Sequence, residues 1–240
     1  MTRNIDPFAA NRRSQLSRLH AARGAVFAEC AGAAFVSHYG DVAAETIAAR
    51  RAGLADLSLL RRAGITGPDS IAVLKAAGLE LAERPNTSIV QKNGDCLARL
   101  SAREFLHVSM SSLGAAADAQ ASSAWTIPDG ASSYELPRAD SHCLFALCGD
   151  SAQELMSRLC GVDLSVSRFA NGDVAQTSLA RVNSIVIRHD FSALHGFLIL
   201  AATPAAEYLW DCLCDALPEF EGTPIGVAAH DVIAGEASHS

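Results

Sequence analysis

Two segments of this chain follow one grammar, and that repeat restricts the folds open to it. ITGPDSIAVLKAAGLEL (Ile65 to Leu81) is a strand end, a Gly-Pro-Asp turn, a helical stretch and a glycine stop. FALCGDSAQELMSRLCGVDL (Phe145 to Leu164) reads the same way. In each, the glycine-containing turn starts the helix: Pro68 suits its first positions, and Asp150 or Ser151 can cap. The helices stop at Gly78 and Gly161. Each unit continues into two strand-like runs, IVQKNGDCLARLSAREFLHVS in the first and VAQTSLARVNSIVIRHD with GFLIL in the second. Each then closes on a helical pattern, about Leu113 to Ser123 and Pro204 to Leu217. Two copies of strand-helix-strand-strand-helix predict an α+β fold of two related, ferredoxin-like-type modules.

The repeat divides the chain. Residues 1–15 are polar and read as an arm. Residues 16–125 form the first module, 126–138 a linker carrying Pro128, Gly130 and Pro137, and 139–220 the second module. Residues 221–240 lack periodicity and read as a tail that packs on a partner. Within the first module, residues 16–28 are expected to form a short helix carrying Leu16, Leu19 and Val26. A firmer helix covers about Ala43 to Ala52, with Asp41 as N-cap, Glu45 in its first turn and Arg50 and Arg51 in its last. Near the end, Ile185 to Leu200 reads as strand, polar break, strand, with Gly196 giving the backbone freedom to turn.

Composition narrows the function. Of 240 residues, 50% are hydrophobic and 19% charged, so the chain is globular and not disordered. The net charge of -7 argues against nucleic acid and anionic membrane as partners. No apolar run approaches the roughly 18–20 residues that span a bilayer, and the N-terminus lacks the apolar core of a secretory signal. The seven cysteines (Cys30, Cys96, Cys143, Cys148, Cys160, Cys212, Cys214) show no zinc or redox spacing. They read as reduced, buried thiols of a cytoplasmic protein, with no disulfide and no metal site.

Motifs for phosphate binding, GxSxG nucleophiles and HExxH metal sites are absent. The eight histidines are scattered, and His107 and His142 read as structural. Asp95, in the hairpin-like turn Gly94-Asp95-Cys96, is the candidate catalytic acid or an ordinary turn residue. From residue physics alone the reading ends at an α+β protein of two modules.

Short motifs in a fixed order add to this. Leu19-His20, Gly24-Ala25, Tyr39-Gly40-Asp41, Glu45, Arg50 and Ala52 to Ser58 come first. Ile65 to Asp69, Arg99-Leu100 and Glu104-Phe105 follow. Together they resemble the folate-binding aminomethyltransferases, the T-protein of the glycine cleavage system, over roughly residues 16–220. Ile185 to Leu200 resembles that family's Arg-Thr-Gly-Tyr-Thr-Gly-Glu-x-Gly-Phe-Glu segment, which helps bind folate. Arg188, Gly196, Phe197 and Ile199 stand in their places, and Arg188 is the candidate cofactor-binding residue. Phe191 replaces the tyrosine, and Leu194 and Leu198 replace both glutamates. Asp95 alone stands near the family's catalytic aspartate, and the family's C-terminal barrel is missing.

The second half is similar to the γ subunit of heterotetrameric sarcosine oxidase. The similarity rests on Ala146 to Gly149, Leu159 to Leu164, Ala175 to Leu179, Val182-Asn183, Gly196-Phe197 and Ala206 to Trp210. It implies a barrel-less aminomethyltransferase fold and a non-catalytic subunit of a flavin- and folate-linked N-methyl amino acid oxidase. Partners would be α, β and δ-type subunits. FAD, FMN, NAD and tetrahydrofolate would sit on those partners and none on this chain alone. Tyr208, Trp210 and Phe220 would be either interface anchors or helix core. The alternatives are a stand-alone tetrahydrofolate-dependent transferase using Asp95, and an iron–sulfur assembly factor, whose KGCxxGQE-type signature is lacking.

Overall fold

A computed structural model of the chain describes residues 4–110 and 124–235. The chain begins with β1 (Arg12–Arg13), α1 (Ser17–Ala22), β2 (Val26–Cys30), β3 (Ala33–His38), α2 (Val42–Ala52) and β4 (Gly53–Asp56). Next come β5 (Arg62–Thr66), α3 (Ser70–Ala76), β6 (Thr87–Val90), β7 (Cys96–Arg99), β8 (Glu104–Val108) and β9 (Tyr134–Leu136). The rest is α4 (Arg138–Ser141), β10 (His142–Cys148), α5 (Ala152–Leu159), β11 (Val174–Leu179), β12 (Val182–Arg188) and β13 (Gly196–Ala202). The series ends in α6 (Ala206–Ala216), β14 (Thr223–Ile225) and α7 (Val227–Gly235).

The repeat in sequence is a repeat in topology. One sheet has the order β6-β7-β8-β5-β9 and the other β11-β12-β13-β10-β4-β14. In each unit the strand before the helix lies beside the last of the three strands after it, and all these pairs are antiparallel. The equivalent edge strands β6 and β11 meet at an antiparallel bridge, Thr87 to Asp173. Around it the Ser88 N–H donates to Gly172 O at 2.6 Å and the Val174 N–H to Asn86 O at 2.9 Å. Among the described residues no sheet closes into a barrel.

Period-2 alternation sorts the strand residues into layers. Leu144, Ala146, Ile185, Ile187, Leu198 and Leu200 face a central core shared with Cys96, Ala98, Leu106 and Val108 of the other sheet. Their strand neighbours Phe145, Leu147, Val186, Phe197 and Ile199 face outward onto α5 and α6, against Leu155, Met156, Leu209 and Trp210. On the far side, Leu97 and Phe105 pack against Val73 and Leu74 of α3. Strands buried on both faces read as unbroken apolar runs, which is why GFLIL shows no alternation.

The turns of the repeat depend on glycine for close approach. A Cβ on Gly67 would stand 2.3 Å from Ser132 O, and one on Gly149 would stand 2.4 Å from Arg51 O. These two equivalent glycines let another stretch of backbone cross each strand-to-helix turn.

Several sequence expectations are corrected. Each unit has three strands after its helix, not two. The second unit's extra strand is hidden by the tight Ala180–Arg181 turn, whose φ values of 47° and 66° carry no Gly or Asn signature. The helix near residue 20 is only Ser17–Ala22, and Val26 opens β2. The 1–15 arm contains β1, paired in parallel with β3. The 126–138 linker contains β9, paired with β5.

The 221–240 tail contributes β14, parallel to β4, and α7, packed on α2 and β3. Glu45 Oε2 accepts the Gly226 N–H at 2.8 Å and anchors it. Trp210 is fully buried, so it is core, whereas Tyr208 is exposed. The helical pattern at Leu113 to Ser123 lies outside the described residues. All seven cysteines are free thiols.

Candidate functional site

Asp95 sits in the turn between β6 and β7, where Gly94 has φ 87°. Its carboxylate is held by three donors. Oδ1 accepts the Met110 N–H at 3.0 Å, and Oδ2 accepts Asn93 Nδ2 at 2.9 Å and His107 Nε2 at 3.1 Å. His107 comes from β8. Leu97 and His107 are opposite in register, so Asp95 and His107 form a diagonal pair on one sheet face. Sequence spacing does not announce such a pair. Burial alone would raise the carboxyl's pKa, but the bonds from His107, Met110 and Asn93 outweigh it and hold it at about 2.

That depression sets a pH dependence. The folded-state pKa lies below the unfolded value near 3.9, so the stabilisation is present above about pH 4 and is lost as pH falls toward 2. Its size is on the order of 2 kcal/mol at most. Urea midpoints of wild type and Asp95→Asn are therefore expected to differ most at neutral pH, to differ by about half as much near pH 3, and to converge only below about pH 2. A constant gap across that range would contradict the assignment.

Beside this turn lies a pocket of about 490 Å³, walled by Asn93, Met110, His189, Ser192, His230 and Asp231. Phe191 is wedged between two imidazoles, its ring centre 5.1 Å from His189 and 4.9 Å from His230. Burial and the neighbouring His230 push His189 down to about 4, against the opposing pull of Asp190, so it is neutral at pH 7. His230 Nε2 is buried with no hydrogen-bond partner among the described residues. Neither His189 nor His230 stood out in the sequence. A His-Asp step in the polar break, His189-Asp190, was the available signal.

Arg188 is not a surface cation. It is 2% exposed at the end of β12, and its guanidinium carbon lies 5.3 Å from the Phe197 ring centre. Its Nε donates to Asp190 Oδ1 at 2.5 Å, and its Nη2 lies 2.5 Å from His195 Nδ1. Asp190 Oδ1 also accepts the Gly196 N–H at 3.2 Å. The guanidinium thus ties the 189–195 loop to its own strand. Gly196 is needed for space and not for an unusual φ, because a Cβ there would stand 2.4 Å from Phe191 Cδ2. No hydrogen bond or ion pair joins Arg188 to Asp95 among the described residues. Leu194 and Leu198 are both buried members of the central apolar core.

A second polar assembly lies under α1. Asp56 Oδ2 accepts His20 Nε2 at 3.0 Å and the Ser14 hydroxyl, and Oδ1 accepts the Ser58 N–H at 2.9 Å. With Nε2 donating to the carboxylate, His20 Nδ1 accepts the Tyr39 hydroxyl at 2.8 Å. Burial opposes ionisation of Asp56, but His20, Ser14 and Ser58 together hold its pKa below the usual carboxylate range. Next to it, Arg62 is buried and donates only to carbonyls. Nη1 reaches Ser58 O at 3.0 Å and Leu60 O at 2.8 Å, and Nη2 reaches Ala139 O at 2.8 Å and His142 O at 2.9 Å. Among the described residues, no group of three or more His, Cys, Asp or Glu side chains is placed to hold a metal ion. No helix among them is long and apolar enough to cross a membrane.

Known proteins resemble this chain in sequence and in fold. The chain is 27% identical to an aminomethyltransferase of Saccharopolyspora erythraea, over 94% of its own length and 64% of that protein. It is 26% identical to an aminomethyltransferase of Streptomyces avermitilis, over 95% and 63%. It thus spans less than two thirds of these relatives. The glycine cleavage aminomethyltransferase T of Bartonella henselae shares the fold, with TM-score 0.70 and 21% identity over 95% of this chain and 63% of that one. So does a chain of heterotetrameric sarcosine oxidase from Corynebacterium sp. U-96, with TM-score 0.63 and 22% identity over 88% of this chain and 97% of that one. The GCVT N-terminal domain family matches residues 16–240, and the chain belongs to that family.

Proposed function

We propose that the chain is a non-catalytic γ-type subunit of a multi-subunit, flavin- and folate-linked N-methyl amino acid oxidase or demethylase of the sarcosine type. The observation that carries this reading is the filling of the site. Where the resembling enzymes place two glutamates, Leu194 and Leu198 lie in the central apolar core. A pterin's N–H donors need acceptors, and leucine has none. Asp95 is already engaged by Asn93, His107 and Met110. These residues do not fit tetrahydrofolate. The two modules, read as ferredoxin-like-type units, then serve as scaffold. FAD, FMN, NAD and tetrahydrofolate belong to α, β and δ-type partners in the cytoplasm. The near-complete overlap with a sarcosine oxidase chain supports this reading.

A stand-alone tetrahydrofolate-dependent aminomethyl transferase is the second reading. The curated aminomethyltransferase relatives and the pocket beside Asp95 favour it. Two measurements separate the readings. Native mass spectrometry of the chain co-expressed with its genomic neighbours is expected to show a stoichiometric complex carrying flavin. Calorimetric titration of the chain alone with tetrahydrofolate is expected to show affinity reduced on the order of a hundredfold from a micromolar site, since each lost charged acceptor costs about 1.5–3 kcal/mol. A micromolar or tighter dissociation constant, abolished by Asp95→Ala, would overturn the subunit reading.

A further inference from the structure

A basic cleft runs along the N-terminal segment, away from the pocket at Asp95. Residues 1–62 hold nine arginines and five acidic residues, although the whole chain carries a net charge of -7. Arg12, Arg13 and Arg18 are exposed and line a cleft of about 830 Å³. Among the described residues, none of the three forms an ion pair within 4.0 Å. Arg12 Nη2 makes a long bond of 3.4 Å to Leu59 O, and the Arg13 guanidinium lies 5.8 Å from the Phe8 ring centre. Phe8 lines the cleft and is 47% exposed, an apolar foothold beside the charges. Asp140 and Glu207 also line the cleft and limit how much negative charge can enter it.

The backbone adds a second observation. β1 is an edge strand, since its sheet has the order β1-β3-β2. The Arg12 N–H donates to Gly32 O at 3.1 Å, which turns the Arg12 peptide groups toward β3. Alternate residues of a parallel strand face opposite ways, so the N–H and C=O of Arg13 point to the open side. An open strand edge flanked by cations and an exposed aromatic has the chemistry of an extended-peptide receptor.

We propose that this cleft docks an extended acidic segment of a partner protein, which adds as a strand along the open edge of β1 while its carboxylates pair with Arg12, Arg13 and Arg18. Charge complementarity selects the partner, and the strand edge supplies register. The recessed shape suits a single peptide and not a flat bilayer. Such docking would hold whether or not the chain sits in a flavoenzyme.

The test uses the full chain and a labelled (Glu-Val)4 peptide, followed by fluorescence anisotropy. Saturable binding at one site is expected, weakening steeply between about 50 and 500 mM salt. Arg13→Glu/Arg18→Glu is expected to weaken it by about tenfold or more with an unchanged melting temperature, because both side chains are exposed. Arg13→Lys/Arg18→Lys should retain most of it. A peptide with proline at every second position should bind poorly, because proline cannot donate to a strand. No binding of (Glu-Val)4, equal binding by the glutamate variant, or equal binding of (Lys-Val)4 would each overturn the proposal. So would tighter binding of oligouridylate or of phosphatidylserine vesicles.

Discussion

Asp56→Ala is expected to destabilise the protein by about 3–5 kcal/mol, the size expected when several buried donors lose their shared acceptor. The carboxylate is the hub of the α1 assembly: His20, Ser14 and Ser58 all donate to it, and His20 is fully buried. The alanine leaves three buried donors without acceptors, and each costs on the order of 1–3 kcal/mol. At this size, 1 kcal/mol corresponds to roughly 2–4 °C, so the melting temperature should fall by on the order of 10 °C. Asp56→Asn keeps one acceptor oxygen and should lose less. The depressed pKa of Asp56 means that its stabilisation is present above the unfolded value near 3.9 and disappears as pH falls below it. A loss under about 1 kcal/mol for Asp56→Ala at pH 7 would show that the assembly is incidental to stability.

The second large effect concerns Arg62. Arg62→Met preserves most of the aliphatic stem but removes every donor, leaving the carbonyls of Ser58, Leu60, Ala139 and His142 without the guanidinium they share. A cost of about 3–5 kcal/mol is expected from urea unfolding. Arg62→Lys should fall between methionine and wild type. A single ammonium has three donors and lacks the planar fork that reaches the 58–60 loop and the 139–142 segment together. If lysine matched arginine, the clamp would be electrostatic and the fork irrelevant.

The helices were legible where local chemistry marks them. Asp41 caps α2 by accepting the Ala43 N–H at 3.0 Å, as its position before an apolar-periodic stretch suggests. α3, α5 and α6 begin within a turn of their sequence marks. Capping itself was less legible. Asp69 makes no cap bond and accepts the Ser132 N–H at 2.7 Å instead, a partner 63 residues away. The α7 stretch had no usable period, because Val227, Ala229, His230 and Ile233 are buried on more than one side of a short helix. β9 and β14 are three residues each, too short for alternation to appear.

At the site, Asp95 was visible as a turn residue, but its partner His107 became a partner only through hairpin register. Arg188 stands in a polar break, a setting in which an arginine is ordinarily exposed. Asp190, His195 and the face of Phe197 make its burial possible, and no linear pattern encodes that enclosure.

The seam between β6 and β11 has the form of an isologous interface, in which equivalent strands from two units meet antiparallel. Two separate copies of one unit would form such a contact as a two-fold dimer. Joining the units in one chain makes the closure intramolecular, so it does not depend on protein concentration. It also lets the chain cover its own sheet edges, which either unit alone would present to other molecules. The same bonds can form between β6 of one molecule and β11 of another.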